Sequence, residues 1–577
     1  MEHAFNNGAI IVKSDFYQEA IYHVSNNKIS VIFDGKGGIK YYAKVNETHY
    51  MKRCSSAVHK NGQHIDIRSK KTVIMQGRRQ IIKVETDAGD LTIEQLLDKN
   101  TDGIYLYCSL ENAKSDDVIQ YSVFLTNVMT NVSVFTDGQA KTFLENAQLM
   151  VTLSKSQPKT SALVTFDKRE INDLTTDFER VKNDCEREIQ SVIFPENLTE
   201  TQKALYHSSY FCALENYKEV GDFKGFTAGH RYISPLRTYY RDSYYTILPM
   251  YNGHVDKVKN QITTLAMGVT NDGTCPSAVK VDFSAYWGNH YDSPSFFVIM
   301  LYDYVRFTGE KEFLKQIVNG FTVLEIAQKV IEKLAEYAVN NGLLYKQGAF
   351  NKRDWADEVN RYGFVTYDEV LYARALYSLS KMFSIEDDKS NANKYMDEFT
   401  RVKDAINSQL WDDNKGYYVN FKNEDYVEDN LSVDTVWAVI FGIADSDRAK
   451  RLLKNMENIL ETKNNPYLKD NDFGVACVYP PYKNNDSAYW KSAQPFNYHN
   501  GANWPYWSAT YAYAKKQYGM QFSYPLEKHF TYNTAKGNYT PIEYFSPYCD
   551  DGSLLQAWGA MSAFVLDEKL SKDFYKD

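Results

Sequence analysis

Hydrophobic and polar residues alternate in short runs from about residue 10 to residue 166. Lys28–Phe33, Gln80–Thr86 and Gly103–Leu110 are three such runs, and turn sequences such as Asp34-Gly35 interrupt them. Alternation with a period of two is typical of strands with one buried face, and glycine breaks between strands indicate hairpins. Many short antiparallel strands in succession favour a sandwich. The pattern predicts an N-terminal antiparallel β-sandwich domain over residues 1–166.

Residues 167–198 change to a helical period and are dense in charge. Five apolar residues recur there at helical spacing: Leu174, Phe178, Val181, Cys185 and Ile189. Pro195 ends the run. We interpret this segment as a linker helix between two domains.

Residues 199–577 keep a helical period almost throughout. The predicted helices are 201–217, 243–251, 256–267, 293–307, 311–339, 367–383, 391–410, 433–441, 445–460, 505–518, 525–534 and 552–566. About twelve helices in roughly 370 residues fit a ring of six helical hairpins, an (α/α)6 toroid. No fixed-period repeat indicates a solenoid. The predicted fold is mainly α, with a toroid over residues 199–577 preceded by the β-sandwich.

The composition narrows the class of partner. Aromatic residues make up 15% of the chain, which suits sugar binding because rings stack on the apolar faces of sugars; packing of a large helical core is the alternative use of these rings. The net charge of −9 without a long basic run argues against nucleic acid. Nothing in the sequence indicates an oligomeric state.

The cysteines and the N-terminus predict a cytoplasmic protein that does not cross a membrane. The 7 cysteines are scattered without paired motifs, which is typical of reduced thiols. The first residues lack a signal-peptide pattern, and no apolar stretch is long enough to span a membrane. No HExxH motif, paired histidines or EF-hand loop is present, so neither a metal nor a cofactor is implied.

The segment from Arg353 to Asn360 is the first candidate site. It places Asp354, Asp357 and Glu358 around Trp355. An acid against an apolar ring has a raised pKa and can act as a general acid near neutral pH. The alternative is a helix N-terminus, where acidic residues complement the helix dipole.

The segment Tyr239–Tyr245 is the second candidate site. Tyr240, Arg241 and Asp242 supply donors and acceptors that match the hydroxyls of a terminal sugar. The alternative is a salt bridge at a helix start, with Asp242 as the cap.

Three aromatic loops supply the remaining candidates. In the segment 283–292, Trp287, His290 and Tyr291 are candidates for the floor of a subsite. In the segment 497–507, His499, Asn500 and Trp504 crowd a glycine turn before Pro505, and in the segment 539–546 Glu543 is a lone acid among rings, as expected of a catalytic base. The alternatives are ordinary loop packing for the first two loops and a Glu that binds backbone N–H groups for the third.

The order of these motifs resembles the six-hairpin glycosidases, which include glucoamylases and bacterial glycogen-debranching-type glucosidases. The resemblance covers Thr199 to the C-terminus. It implies that Asp357 is the general acid, that Arg241 and Asp242 bind the terminal sugar, and that Glu543 is the general base. The sequence departs from glucoamylases in having Asp rather than Glu as the acid, and Asp354 competes for that role.

The predicted function is that of an inverting, exo-acting glycoside hydrolase whose substrate is a small carbohydrate. Asp357 and Glu543 are the catalytic pair; the substrate-binding candidates are Tyr240, Arg241, Asp242, Trp287, Tyr291, Trp355, Glu358, His499, Asn500 and Trp504. Disaccharide phosphorylases have a similar Asp-Trp-x-Asp segment on the same barrel, so a phosphorylase remains an alternative. A non-catalytic sugar-binding protein and a toroid lyase are the other alternative functions.

Overall fold

The computed structural model describes residues 2–14, 20–47, 52–53, 55–67, 71–113, 116–124, 133–137, 140–143, 148–165, 170–347, 354–482 and 490–576. The chain forms two compact units. The first comprises residues 1–220, 229–236 and 530–541, and the second comprises residues 221–228, 237–529 and 542–577. The helix predicted at residues 201–217, which the sequence analysis assigned to the toroid, therefore lies in the first unit.

The first unit is rich in antiparallel strands. They are β1 (Glu2–Asn6), β2 (Ala9–Ser14), β3 (Tyr22–Ser25), β4 (Ile29–Phe33), β5 (Ile39–Lys44), β6 (Lys52–Arg53), β7 (Ser55–Lys60), β8 (Gln63–Ile65), β9 (Lys71–Gln76), β10 (Arg79–Thr86), β11 (Gly89–Leu97), β12 (Ile104–Glu111), β13 (Ile119–Phe124), β14 (Ser133–Thr136), β15 (Ala140–Phe143), β16 (Gln148–Leu153) and β17 (Lys159–Thr165). An eight-stranded sheet has the order β1-β2-β9-β10-β11-β12-β17-β14, a five-stranded sheet β15-β16-β13-β7-β8 and a four-stranded sheet β3-β4-β5-β6. The antiparallel strands confirm the period-two pattern, and their arrangement as a sandwich stays a prediction.

Helix α1 (Leu174–Ser191) packs on the eight-stranded sheet. The Asp173 carboxylate caps it by accepting from the backbone N–H groups of Thr175 and Thr176. The five apolar residues at helical spacing are all buried, in a cluster that includes Leu96, Tyr105 and Leu163 of the sheet. The predicted helix is confirmed, and its apolar stripe anchors it to the β-structure. Residues 166–169 lie outside the described ranges.

The other helices are α2 (Glu200–Asn216), α3 (Tyr240–Ile247), α4 (Val255–Met267), α5 (Asp292–Thr308), α6 (Val323–Ala335), α7 (Thr366–Ile385), α8 (Lys389–Gln409), α9 (Trp437–Ile440), α10 (Ser446–Ile459), α11 (Pro505–Gln517), α12 (Ser523–Ala535), α13 (Met561–Leu566) and α14 (Glu568–Ser571). Short strands lie between them: β18 (Tyr217–Val220), β19 (Phe223–Phe226), and β20 (Arg237–Tyr239), β21 (Pro276–Lys280) and β22 (Ala285–Asn289), of which the last three form one sheet. Within the described ranges, none of the helices combines the length and apolar character that crossing a bilayer requires.

Two predicted helices are wrong in part. The segment 311–339 is interrupted by a turn in which Asn319 and Gly320 have φ of 51° and 86°, so α6 begins only after Thr322. The Thr322 hydroxyl and the Glu325 side chain cap that new start in a reciprocal box. In the segment 552–566, the α-helix begins only at Met561 after a 3-10 turn.

His207 on α2 gives the first unit a pH-dependent stability. The imidazole is buried among Phe5, Tyr22, Phe194 and Phe211, and neither ring nitrogen has a hydrogen-bond partner among the described residues. Burial lowers the pKa of His207 to about 3. Because the folded pKa lies below the unfolded value of about 6.5, this stability is complete above pH 6.5 and is lost as the pH falls.

Replacing His207 with Phe is expected to reduce this acid sensitivity. Between pH 7.5 and pH 5, the free energy of unfolding should fall by about 2 kcal/mol less in the variant than in the parent protein. Urea unfolding at the two pH values measures the difference. An unchanged pH dependence would contradict the neutral, buried imidazole.

Candidate active site

Arg241 and Asp242 lie in the first turn of α3, directly after strand β20. The Arg241 guanidinium donates to the Asp292 carboxylate, with Nη1 2.7 Å from Oδ2, and the Tyr367 hydroxyl donates to the same oxygen at 3.2 Å. Asp292 begins α5, so this ion pair joins the starts of two helices. Tyr239 rather than Asp242 is the N-cap residue of α3, and its side chain makes no capping hydrogen bond; the structure therefore does not have Asp242 as the helix cap.

Asp242 is a buried acid close to Glu543. Burial raises the pKa of Asp242 to about 7; Arg241 opposes the rise, and the negative charges of Asp292 and Glu543 add to it. Asp242 Oδ2 is buried and has no hydrogen-bond partner in the described part of the chain. This oxygen is the kind of acceptor that a sugar hydroxyl satisfies.

Asp354 is held in a buried ionic network. Arg361 donates to both of its oxygens, from Nη2 at 2.5 Å and from Nε at 3.1 Å, and Lys346 Nζ lies 2.6 Å from Oδ2. Burial alone would raise the pKa of Asp354, but Arg361 and Lys346 overcome it and hold the pKa far below its usual range. An acid that stays ionised cannot donate a proton, so the geometry argues against Asp354 as the general acid.

Trp355 fixes the other side of this loop. Its indole Nε1 donates to Asp434 Oδ2 at 2.6 Å, and its ring packs edge-on against His499, with the centroids 5.2 Å apart. Arg361 Nη1 also donates to Asp434, at 2.6 Å. The hydrogen bonds of Trp355 and Arg361 to Asp434 therefore hold the segment on both sides of Asp357. Arg353, which begins the motif in the sequence, lies outside the described residues.

Replacing Arg361 with Met is expected to destabilise the second unit strongly. The change leaves Asp354 and Asp434 buried without their guanidinium partner, and breaking a buried ion pair costs about 3–5 kcal/mol. Urea unfolding measures this as a lower free energy of unfolding. Adding Asp354→Asn to the Met variant should recover part of the loss, because it removes one uncompensated charge. A loss below about 1 kcal/mol in the single variant would contradict the network.

Asp357 and Glu358 both contact the loop that carries His499. Asp357 Oδ1 lies 3.7 Å from His499 Nδ1, and its side chain keeps 17% of its surface exposed. Glu358 Oε2 accepts from the Ser492 backbone N–H at 3.1 Å. Burial raises the pKa of Glu358, while Ser492 and Lys491 counteract the rise. Glu358 thus holds the loop, whereas Asp357 keeps access to solvent.

His499 is a neutral imidazole in an aromatic stack. Burial lowers the pKa of His499, and Arg241 adds to the effect. Its Nδ1 accepts from the Glu358 backbone N–H at 3.3 Å, so the proton of the neutral ring belongs on Nε2. The ring stacks on Trp504, with the centroids 4.9 Å apart at 14°, and its centroid is 4.0 Å from that of Tyr498.

Tyr498 connects this stack to Glu543. Its hydroxyl donates to Glu543 Oε1 at 3.4 Å, and the Ser553 N–H donates to Oε2 at 3.1 Å. Tyr498 has a φ of 47°, a left-handed conformation that is uncommon for a bulky residue. Asp357, His499, Tyr498 and Glu543 therefore form one chain of contacts, although the two acids are far apart in the sequence.

The remaining predicted site residues are less closely connected to this chain. Tyr240 is fully buried and donates to the Leu265 carbonyl at 2.7 Å, so the structure places it in the helical core rather than in the site. Asn500 is buried and holds its own loop, since it donates to the Ser492 carbonyl and accepts from the Tyr482 N–H. Tyr291 is buried against Tyr337.

Trp287, by contrast, is 53% exposed and has a φ of 61°. It stacks on Tyr286 with the centroids 5.6 Å apart. His290 lies behind it, with a centroid distance of 6.5 Å, and is buried. Trp287 is therefore an outward-facing ring on strand β22, while His290 faces inward.

Four residues that position the site were missed in the sequence: Asp292, Arg361, Asp434 and Tyr498. Asp292 and Tyr498 fall inside segments that the sequence analysis singled out, and Arg361 directly follows the acidic motif. No local signal marks Asp434, because its partners Trp355 and Arg361 are remote in the sequence. Among the described residues, no group of three or more His, Cys, Asp or Glu side chains is arranged to hold a metal ion.

The chain matches a known protein family over the residues of the candidate site. The amylo-alpha-1,6-glucosidase family matches residues 215–565, more than half of the 577 residues. The chain belongs to the amylo-alpha-1,6-glucosidase family. The matched range includes Arg241, Asp357, His499 and Glu543. A comparison with curated proteins finds no match.

Solved structures share the fold of this amylo-alpha-1,6-glucosidase family member. A bacterial glucoamylase complexed with acarbose matches with a TM-score of 0.61 and 12% identity, over 100% of this chain and 97% of the glucoamylase. A rhamnosidase from Klebsiella oxytoca with rhamnose bound matches with a TM-score of 0.51 and 13% identity, over 90% of this chain and 96% of the rhamnosidase. Both are (α/α)6-barrel enzymes. The resemblance to six-hairpin glycosidases is thus confirmed.

Proposed function

We propose that the protein is an inverting, exo-acting glycoside hydrolase that removes a terminal sugar from an oligosaccharide or glycoside. Asp357 acts as the general acid and Glu543 as the general base. In this proposal the helices of the second unit close as an (α/α)6 toroid around the site, and the strands of the first unit form the preceding β-sandwich.

The chain of contacts from Asp357 to Glu543 carries the proposal. His499 touches Asp357 on one side, and Tyr498, stacked beside His499, donates to Glu543 on the other. Two carboxylic acids held by one aromatic cluster suit acid and base roles on opposite sides of a sugar. Inversion requires the carboxyl groups to be about 6.5–9.5 Å apart, so that a water fits between Glu543 and the anomeric carbon.

Each acid has surroundings that fit its role. Asp357 Oδ1 lies 3.7 Å from His499 Nδ1, and its partly exposed side chain leaves it accessible to a substrate. Asp357 then protonates the glycosidic oxygen as the bond to the anomeric carbon breaks. Glu543, held by Tyr498 and the Ser553 N–H, takes a proton from the attacking water.

The terminal sugar is bound by Arg241 and Asp242. The guanidinium is fixed by Asp292, so its orientation is set before substrate arrives. The unpartnered oxygen of Asp242 accepts from a ring hydroxyl. Trp287 supplies exposed aromatic surface, and the buried Trp504 supports His499 by stacking on it. The family name refers to an α-1,6-linked glucose, and we propose an α-glucoside as the substrate.

A panel of glycosides tests the proposal. Isomaltose, maltose, 4-nitrophenyl α-glucoside and 4-nitrophenyl α-rhamnoside are incubated with the protein, and the anomer of the first product is followed by NMR. Release of β-glucose from the α-glucosides is expected. Retained configuration would refute the mechanism. Sugar 1-phosphate formed only in phosphate buffer would identify a phosphorylase instead, and no turnover of any glycoside would refute the hydrolase.

A further inference from the structure

Three aromatic rings form a connected surface strip outside the proposed catalytic pair. The Phe496 ring centroid lies 5.2 Å from that of Tyr548. It lies 6.4 Å from that of Tyr479, and the planes of the Phe496 and Tyr479 rings are 19° apart. Tyr548 is 46% exposed, and Phe496 and Tyr479 are half-buried. We call Tyr479, Phe496 and Tyr548 the aromatic strip.

The strip is held in place by its backbone and by polar contacts. Phe496 has a φ of 60°, and such strained backbone in a bulky residue clusters at functional sites. The Cys549 thiol contacts the Phe496 carbonyl, with Sγ 3.8 Å from the oxygen, and this joins the loop of Tyr548 to that of Phe496. The Asn471 amide donates to the Tyr548 hydroxyl at 3.1 Å, which fixes the tilt of the most exposed ring.

The strip continues the loops of the proposed active site. Phe496 precedes Tyr498 by two residues, and Tyr548 follows Glu543 by five. Tyr498 and Glu543 are in contact, so the loops that carry Phe496 and Tyr548 also carry the general base and its partner. The aglycone of an exo-acting enzyme points out of the pocket, so the loops that carry the general base are candidates for contact with it.

We propose that the aromatic strip binds the sugar units of an oligosaccharide beyond the bond that is cleaved. Exposed rings stack on the apolar faces of pyranoses, and Tyr548 is the most exposed ring of the strip. This inference rests on the proposed function. It implies that the substrate is a chain of several glucose units, and that the strip determines the preference for long chains over short ones.

The activity test compares chain lengths in the full-length protein. Isomalto-oligosaccharides and malto-oligosaccharides of two to seven units are hydrolysed beside 4-nitrophenyl α-glucoside. Tyr548→Ala is expected to lower kcat/KM on the heptasaccharide about 3- to 10-fold, while that on the nitrophenyl glycoside changes less than twofold. Tyr548→Phe, which keeps the ring, should retain the chain-length preference. An equal loss on all substrates would overturn the strip as a sugar-binding surface.

A binding test separates this inference from the proposed function. Calorimetric titration of isomaltoheptaose and maltoheptaose into the Asp357→Asn protein measures affinity without turnover. Adding Tyr548→Ala to that variant should weaken heptasaccharide binding by the same factor as it lowers kcat/KM on the heptasaccharide. If no glycoside is hydrolysed but Tyr548→Ala weakens heptasaccharide binding, the hydrolase fails and the strip stands. If glycosides are hydrolysed but Tyr548→Ala changes neither the binding of a heptasaccharide nor the chain-length preference, the strip is not a sugar-binding surface and the proposed hydrolase stands.

Discussion

Replacing Asp357 with Asn is expected to lower kcat/KM on isomaltose by about 100- to 10,000-fold, the range that general acid catalysis contributes. The side chain keeps its size but has no proton to give to the departing oxygen. The loss should be far smaller on α-glucosyl fluoride, because fluoride leaves without full protonation. Initial rates on the two substrates, measured with the same enzyme preparation, give the comparison.

Asp354→Asn is the matched control for this prediction. Asp354 positions the loop through Arg361 and Lys346, so its loss should lower activity on isomaltose and on the fluoride by the same factor. It should also lower the free energy of unfolding. If Asp354→Asn rather than Asp357→Asn shows the dependence on the leaving group, the two acids exchange roles. If neither does, the general acid lies elsewhere.

The elements of this fold that follow from local pattern were predictable. The segment 505–518 begins with Pro505 after an aromatic loop, and the structure has a helix at Pro505–Gln517, because proline at the first helical position is a local signal. The Asn319-Gly320 turn was missed within the segment 311–339 although Asn-Gly is itself a turn signal. There the hydrophobic period continued on both sides of the turn and masked it.

The arrangement of the candidate site was only partly predictable. The acids and rings were found in the sequence because they lie in short, unusual loops, as with Asp357 and Glu543. Their supports were not found, since Arg361 pairs with Asp434 across 73 residues and Arg241 with Asp292 across 51 residues. Tertiary folding decides such pairs, and no period along the chain marks them. Tyr240 and Arg241 show the same limit, because only the helical geometry of α3 directs Tyr240 toward the Leu265 carbonyl and its neighbour Arg241 toward Asp292.

Replacing Glu543 with Ala is expected to slow hydrolysis of isomaltose and of α-glucosyl fluoride alike. A general base activates the water whatever the leaving group, so a good leaving group gives no relief, unlike in Asp357→Asn. The loss should again reach about 100- to 10,000-fold. The removed carboxylate also leaves a space beside Tyr498 and the Ser553 N–H, both of which donate to it in the parent protein.

Added azide tests whether that space lies on the face of the sugar that water attacks. As an anionic nucleophile that needs no base, azide should restore consumption of α-glucosyl fluoride by Glu543→Ala, and the product should be β-glucosyl azide. Glu358→Gln is the matched control: Glu358 binds Ser492 in the neighbouring loop, so azide should give it no rescue. An α-azide would place Glu543 on the wrong face. Rescue confined to Glu358→Gln would move the base to residue 358, and full activity of Glu543→Ala without azide would remove Glu543 from the mechanism.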